Sequence, residues 1–393
     1  MNGQTISNSY MVTNRASPWT ETPYNDIYPL PLWDTFYFWA PGANNPNSRQ
    51  YEQDGPDTTG PMPSSYESRL EADIARAVQN GGRQVTVLIH GLSYVLSEAC
   101  GRLGTYGQNL AVQGYKGLLV GFSWPSYGSV DSYLYYSSLL YSFPPAQAQQ
   151  YGSIRDNIHG STRSLLHLLN QLVPLCKKHG AQLNLLCHSE GNYMLMLAMY
   201  ALSRNSDPAL SELAAAGRFM DQVLMVAADI NNGALEAPQG SPPLKGQGSW
   251  IAQYSKTVTV YWSSADDRLS YSDDWKEWHN PSFPLRPGLH GPHSDASGAI
   301  VPNAYGLDCS LVAKQNNRYR PPPITVHESY FYIPQILPDM KQALSDVSTP
   351  DVVNRVSTGN QSFRMTPAPS LTTGPFKPRV IRLPKETPVK RVT

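Results

Sequence analysis

Between residues 83 and 264 five short apolar runs recur, "RQVTVLIHG", "GLLVGFSW", "LNLLCH", "DQVLMVAAD" and "KTVTVYWSS", and stretches long enough for helices separate most of them. Runs of this length with little polar alternation read as strands buried on both faces. Of the intervening stretches, "YESRLEADIARAVQN", "GTYGQNLAVQGY", the span 153–180 and the segment from Gly191 carry helical spacing. Strands alternating with helices require a mostly parallel sheet flanked by helices, an α/β fold. A last helix is expected within "YFYIPQILPDMKQALSD".

Around this frame the chain is less regular. Residues 1–60 are polar and rich in Pro, Asn and Tyr, with one apolar run, "DTFYFWA", that suits an edge strand; they read as an extension packed on a main domain spanning 61–346. Segments 125–155, 230–256 and 270–325 read as lid-like insertions, because long aperiodic stretches in a compact domain are usually functional loops. From about 347 the chain reads as a flexible tail ending in "GPFKPRVIRLPKETPVKRVT".

Charge and cysteine content exclude several classes. Thirty Lys plus Arg balance thirty Asp plus Glu, which gives no field to attract nucleic acid or an anionic membrane. Cys100, Cys176, Cys187 and Cys309 are too few and scattered for a disulfide framework and read as reduced thiols. The first residues carry neither a basic start nor an apolar core, and no run is long enough to span a bilayer. The expectation is a cytoplasmic protein acting on a small molecule.

The pentad "CHSEG" lies where the run "LNLLCH" meets the apolar helix "NYMLMLAMY". A serine becomes nucleophilic on a sharp strand-to-helix turn, which needs small residues two positions to either side; here they are Cys187 and Gly191. Serines before helices also serve as caps, so Ser189 alone leaves both readings open. An oxyanion hole would take the backbone N–H of Glu190 and a second donor from an earlier strand end, where "VTVLIHGLSY" offers Leu92 after the His90-Gly91 turn. In the order Ser, acid, His, the acid falls at Asp266 or Asp267 past "TVTVYWSS", and the base at His327 before the last helix. His159, His167 and His179 lie on or beside the long helix, and His188 is expected to point away into the sheet packing. The motif "LHGPHSD" is a weak metal pattern, and no metal or organic cofactor is expected.

These residues resemble the DUF900 family of α/β hydrolases. Members carry an His-Gly turn, a Phe-Ser-Trp-Pro-Ser strand end, an Ala-His-Ser-Met-Gly-Asn elbow and an Asp-x-x-Leu-x-x-Ser segment before a late His. Here they correspond to His90-Gly91, Phe122 to Ser126, Cys187 to Asn192, Asp266 to Ser272 and His327. The resemblance implies an α/β-hydrolase fold and a serine hydrolase with Ser189 as nucleophile, His327 as base and Asp266 as its acid, the register with Leu269 and Ser272 favouring it over Asp267. Asp229 matches a further family aspartate and stands in reserve. The chain departs at Cys187, in place of alanine, and at Glu190, in place of methionine, whose side chain is expected to turn aside from the pocket. Gly91, Ser93, Tyr94, Trp124, Tyr133 and Tyr136 are the expected substrate contacts, with Tyr135, Trp275 and Trp278 as further candidate walls. The activity expected is ester hydrolysis; an amidase or acyltransferase with the same residues, or a non-catalytic scaffold of the same shape, are the alternatives.

Overall fold

The computed structural model describes residues 9–15, 36–40, 52–53, 62–92, 94, 96–126, 145–204, 207–236, 239–240, 243–246, 248–270, 272–273, 285–292, 300–315, 325–347, 351–359 and 361–366. Its strands are β1 (Ser9–Thr13), β2 (Phe36–Ala40), β3 (Glu52–Gln53), β4 (Gln84–Ile89), β5 (Leu118–Ser123), β6 (Gln182–His188), β7 (Met220–Val226), β8 (Gln239–Gly240), β9 (Pro243–Lys245), β10 (Ser255–Trp262), β11 (Ala304–Asp308), β12 (Arg355–Gly359) and β13 (Ser362–Met365). The helices are α1 (Ser64–Gln79), α2 (Leu96–Val112), α3 (Pro145–His179), α4 (Gly191–Ser203), α5 (Ser211–Ala215), α6 (Ser249–Tyr254), α7 (Pro287–His290), α8 (Ser310–Gln315) and α9 (Ile336–Leu344).

Among the described residues, eleven strands form one sheet in the order β12-β13-β11-β10-β7-β6-β4-β5-β1-β2-β3. Every pairing from β1 through β5, β4, β6, β7, β10 and β11 to β13 is parallel, and the antiparallel pairs of this sheet lie at its two ends. Parallel strands need covering on both faces, and β4, β5 and β7 are buried at every residue. Side-chain alternation divides the core accordingly. Val85, Val87, Ile89, Leu183, Leu185 and Cys187 face a cluster with α1, α3, α4 and α6. Leu88, Leu119 and Leu186 face a second cluster with α2, α9 and the segment Val326–Phe331.

The chain passes from β4 to its neighbour β5, then crosses back to β6 on the other side of β4. Strand order reverses there, and in open parallel sheets ligands bind beyond the carboxyl ends of strands at such a reversal. The five strands read from the sequence are all present. Of the residues read as an extension, Ser9–Thr13 enters the sheet as a strand parallel to β5, and Phe36–Ala40 lies between β1 and β3. The stretch read as an insertion at 270–325 contains β11, which pairs with the central β10. Part of the stretch read as tail forms the β12–β13 hairpin. These strands are short or interrupted by glycine, as in "AYGLD", and so lack the apolar density that marks the central ones.

The hairpin is fastened by a buried ion pair. Arg355 donates from Nε and Nη2 to the two carboxylate oxygens of Asp339, both at 2.7 Å, and the Tyr261 hydroxyl donates to the same carboxylate at 2.6 Å. Arg355 and Asp339 have side chains 0% and 1% exposed. Removing one partner would strand the other charge in the core, so Arg355→Met should lower unfolding free energy by about 3–5 kcal/mol, read from urea denaturation.

Candidate active site

The carboxyl ends of β4, β5, β6, β7 and β10 meet along one edge of the sheet, because the strands are parallel. Ser189 follows β6 with φ of 54°, in the left-handed region that a non-glycine residue rarely adopts. The backbone reverses there and enters α4, whose first residue, Gly191, lies against β4. A Cβ on Gly191 would stand 2.7 Å from the Ile89 carbonyl oxygen and 2.8 Å from that of His90. Gly91 abuts Ser189 in the same way: a Cβ there would stand 2.7 Å from the Ser189 Cβ. Cys187 is accommodated inside β6, fully buried, and burial pushes its thiol well above the usual range, so it is a packing residue.

The cap of α4 is Glu190, and its side chain makes no capping bond. Among the described residues the Ser189 hydroxyl makes no hydrogen bond either, so it does not serve as the cap. Its backbone is held instead: N–H donates to the Val226 carbonyl at 3.0 Å, and its carbonyl accepts from Asn192 N–H at 3.0 Å. Glu190 is buried, 1% exposed.

His327 lies in the Val326–Phe331 segment and donates from Nδ1 to Asp266, at 2.9 Å to Oδ2 and 3.1 Å to Oδ1. Asp266 is fully buried, and its Oδ1 also accepts the N–H groups of Arg268 and Leu269 at 3.1 and 3.0 Å. Asp267 is exposed. Burial alone would lower the imidazole's pKa. The Asp266 carboxylate, by its charge and hydrogen bond, outweighs that with help from Glu328 and Asp229, and the net shift is upward from 6.5. Since Nδ1 is committed to Asp266, Nε2 is the nitrogen left to accept a proton.

Asp229 lies in the loop after β7. Its carboxylate accepts the Ser272 hydroxyl at 2.8 and 3.0 Å and lies 3.3 Å from Arg286 Nε. Ser272 thus ties the segment carrying Asp266 to the loop after β7, and Leu269 between them is buried.

His188 is buried in packing against the sheet. Alternation along β6 puts it on the face of Leu186, where the His327 segment packs. Its Nε2 donates to the His327 carbonyl at 2.9 Å, and the two rings lie 4.7 Å apart. Burial, then the neighbouring His327, holds its pKa well below 6.5, so His188 is a neutral strut.

Along the β4 turn, His90 is buried and neutral, its pKa lowered to about 3 by burial and then by the charge of Arg15. Its Nδ1 donates to the Gly91 carbonyl at 2.8 Å, while Nε2 faces the Ser123 hydroxyl at 3.1 Å and accepts Trp124 N–H at 3.2 Å. Trp124 is fully buried, stacks on His90 and donates from its indole to the His90 carbonyl at 2.9 Å, which makes it a support of the turn. Tyr94 is 7% exposed and its hydroxyl donates to Glu328 at 2.5 Å, linking the turn to the His327 segment. Arg102 completes the link, 3.1 Å from the same Glu328 oxygen. Leu92 is half-buried, and among the described residues its N–H donates no hydrogen bond. Ser93, Tyr133, Tyr135, Tyr136, Trp275 and Trp278 lie outside the described residues.

Among the described residues no group of three His, Cys, Asp or Glu side chains could hold a metal; His290 pairs with Asp273 at 2.6 Å, and His293 lies outside them. No helix among the described residues is long and apolar enough to cross a membrane. Sequence reasoning passed over Arg15, Glu328 and the part played by His188, since their partners lie on distant segments and leave no local pattern.

The chain matches the family described as "Alpha/beta hydrolase of unknown function (DUF900)" over residues 66–277. No curated protein matches it. Among solved structures it is similar to LpqC, a poly(3-hydroxybutyrate) depolymerase from Bordetella parapertussis, at 18% identity over 54% of this chain and 63% of that one, with a TM-score of 0.26. It is also similar to a Pyrobaculum calidifontis esterase, at 9% identity, 67% and 76% coverage and a TM-score of 0.29. A third is the phospholipase PlaB from Legionella pneumophila, solved with thio-NAD, at 13% identity, 68% and 60% coverage and a TM-score of 0.33. The chain covers less than two thirds of the depolymerase and of the phospholipase. These overlaps are too loose to carry residue correspondences.

The packing of Gly191 on carbonyl oxygens leaves no side chain that could swing aside. Gly191→Ala should therefore lower stability by about 1–3 kcal/mol, measured as a shift of the urea midpoint.

Proposed function

We propose, since the chain belongs to the DUF900 family of α/β hydrolases, that it is a serine hydrolase cleaving carboxylic esters through an acyl-enzyme on Ser189. The observation that carries this reading is the bond between His327 Nδ1 and the buried carboxylate of Asp266, in a segment whose His327 carbonyl is held by His188, the residue before the left-handed Ser189. That bond fixes the tautomer in which Nε2 can take the Ser189 proton.

In the proposed reaction the Ser189 oxygen attacks the ester carbonyl as His327 Nε2 accepts its proton. The N–H groups of Leu92 and Glu190 stabilise the tetrahedral oxyanion. His327 then protonates the leaving alkoxide, and a water molecule, deprotonated by the same nitrogen, hydrolyses the acyl-enzyme. Asp266 stays ionised throughout and stabilises the imidazolium. The reaction calls on no metal or organic cofactor, and the substrate is a small-molecule ester.

The test is labelling by a fluorophosphonate probe together with turnover of p-nitrophenyl esters of graded chain length. The wild-type chain should label, while Ser189→Ala should lose labelling and fall on the order of 10⁶-fold in kcat. A folded wild-type chain that neither labels nor turns over any ester would reject the reading. Parallel assays with amides and acceptor alcohols distinguish an amidase or acyltransferase.

The direction of the His327 shift adds a pH signature. The base must be neutral, so activity is lost as pH falls through a pKa raised above 6.5. Glu328→Gln removes one of the charges that raise it and leaves Arg102 without that counter-charge. The acid limb of kcat/KM should therefore move to lower pH, and an unmoved limb would exclude Glu328 from this role.

A further inference from the structure

Arg15 stands just past the end of β1. Because β1 is parallel to β5, with Thr13 opposite Ser123, it delivers Arg15 to the edge of the sheet that carries Ser189. The side chain is completely buried. A guanidinium is sequestered in this way only where its N–H groups are used, and here they reach two segments of the site. Nε donates to the Ser123 hydroxyl at 3.0 Å, and Nη2 donates to the Tyr94 carbonyl at 2.6 Å. Ser123 also contacts His90, and the Tyr94 carbonyl accepts a second bond from the Ser126 hydroxyl at 3.2 Å. The turn is thus pinned at His90 and at Tyr94, with Leu92 between the pins.

We propose that Arg15 is a positioning residue for the oxyanion turn: from outside the family-matched segment 66–277, it fixes the Tyr94 carbonyl and so aims the Leu92 N–H at the reacting carbonyl. This rests on the serine hydrolase reading of Ser189. The planar fork of Arg15 spans Ser123 and Tyr94 together, which a lysine ammonium, a point charge, cannot reproduce. The guanidinium does not touch the substrate; it acts through the Tyr94 carbonyl and, by way of Ser123, through His90.

A donor that contributes only when charge develops on the substrate affects kcat more than KM. Arg15→Met should therefore lower kcat, and the rate of fluorophosphonate labelling, by roughly 10- to 100-fold with KM within about twofold of wild type. Affinity for a trifluoromethyl ketone, which forms the tetrahedral adduct, should fall by a similar factor. Arg15→Lys should lie between Arg15→Met and wild type, and decides the matter if Arg15→Met does not fold. Arg355→Met, which removes a buried arginine at the far edge of the sheet, is the control for lost stability and should keep the wild-type kcat. Wild-type kcat in folded Arg15→Met or in Arg15→Lys would overturn the proposal, as would an equal loss in Arg355→Met. If the wild-type chain neither labels nor hydrolyses esters, the serine hydrolase reading fails and this proposal falls with it, an outcome distinct from an active wild type with an active Arg15 variant.

Discussion

The close approach of α4 to the end of β4 governs the rest of the site. Gly191 rests on the carbonyl oxygens of Ile89 and His90, and Gly91 rests on Ser189. Two backbones this near leave no space for side chains between them, and the chain meets the constraint with a left-handed serine and a glycine on each side of the contact. The elbow and the β4 turn therefore cannot move independently. Strain at Ser189 is held in place by the parallel pairing of β4 with β6 and of β6 with β7.

Three buried histidines surround this contact, and their surroundings give them different parts. His90 and His188 are kept neutral by burial, and each donates one N–H to a backbone carbonyl. His327 has burial opposed by a buried carboxylate, and its pKa goes up instead. The partner of each ring decides whether its pKa falls or rises.

The central strands were legible because burial on both faces forces continuous apolar runs, and Ser189 and Asp266 drew notice as candidates because they follow such strands, β6 and β10. The edge strands were not: Ser362–Met365 has a mixed face and only four residues. The helix expected over 330–346 is divided, since Pro334 disfavours helical backbone at Ile333; the chain forms a 3₁₀ turn over Val326–Phe331 and resumes as Ile336–Leu344. The choice of Asp266 over Asp267 followed the motif register, and His327 bonds Asp266, whereas the bond of His188 to the His327 carbonyl depends on what packs above β6 and left no local pattern. Arg15 could not be read at all. A single arginine after "SYMVT" gains meaning only from the pairing of β1 with β5.

That pairing sets Tyr10 opposite Val120, the widest sequence separation among the described strand pairs of the sheet. During synthesis β1 leaves the ribosome before the central strands; β2 follows it soon, yet its other partner, β5, emerges only after β4 and α2 have been made. Contacts that close so long a loop form slowly, and until β5 arrives β1 has one unpaired edge. The strand that delivers Arg15 to the end of β5 is thus made before the central strands and is among the last to find its place there, which ties the order of this edge to the completion of folding.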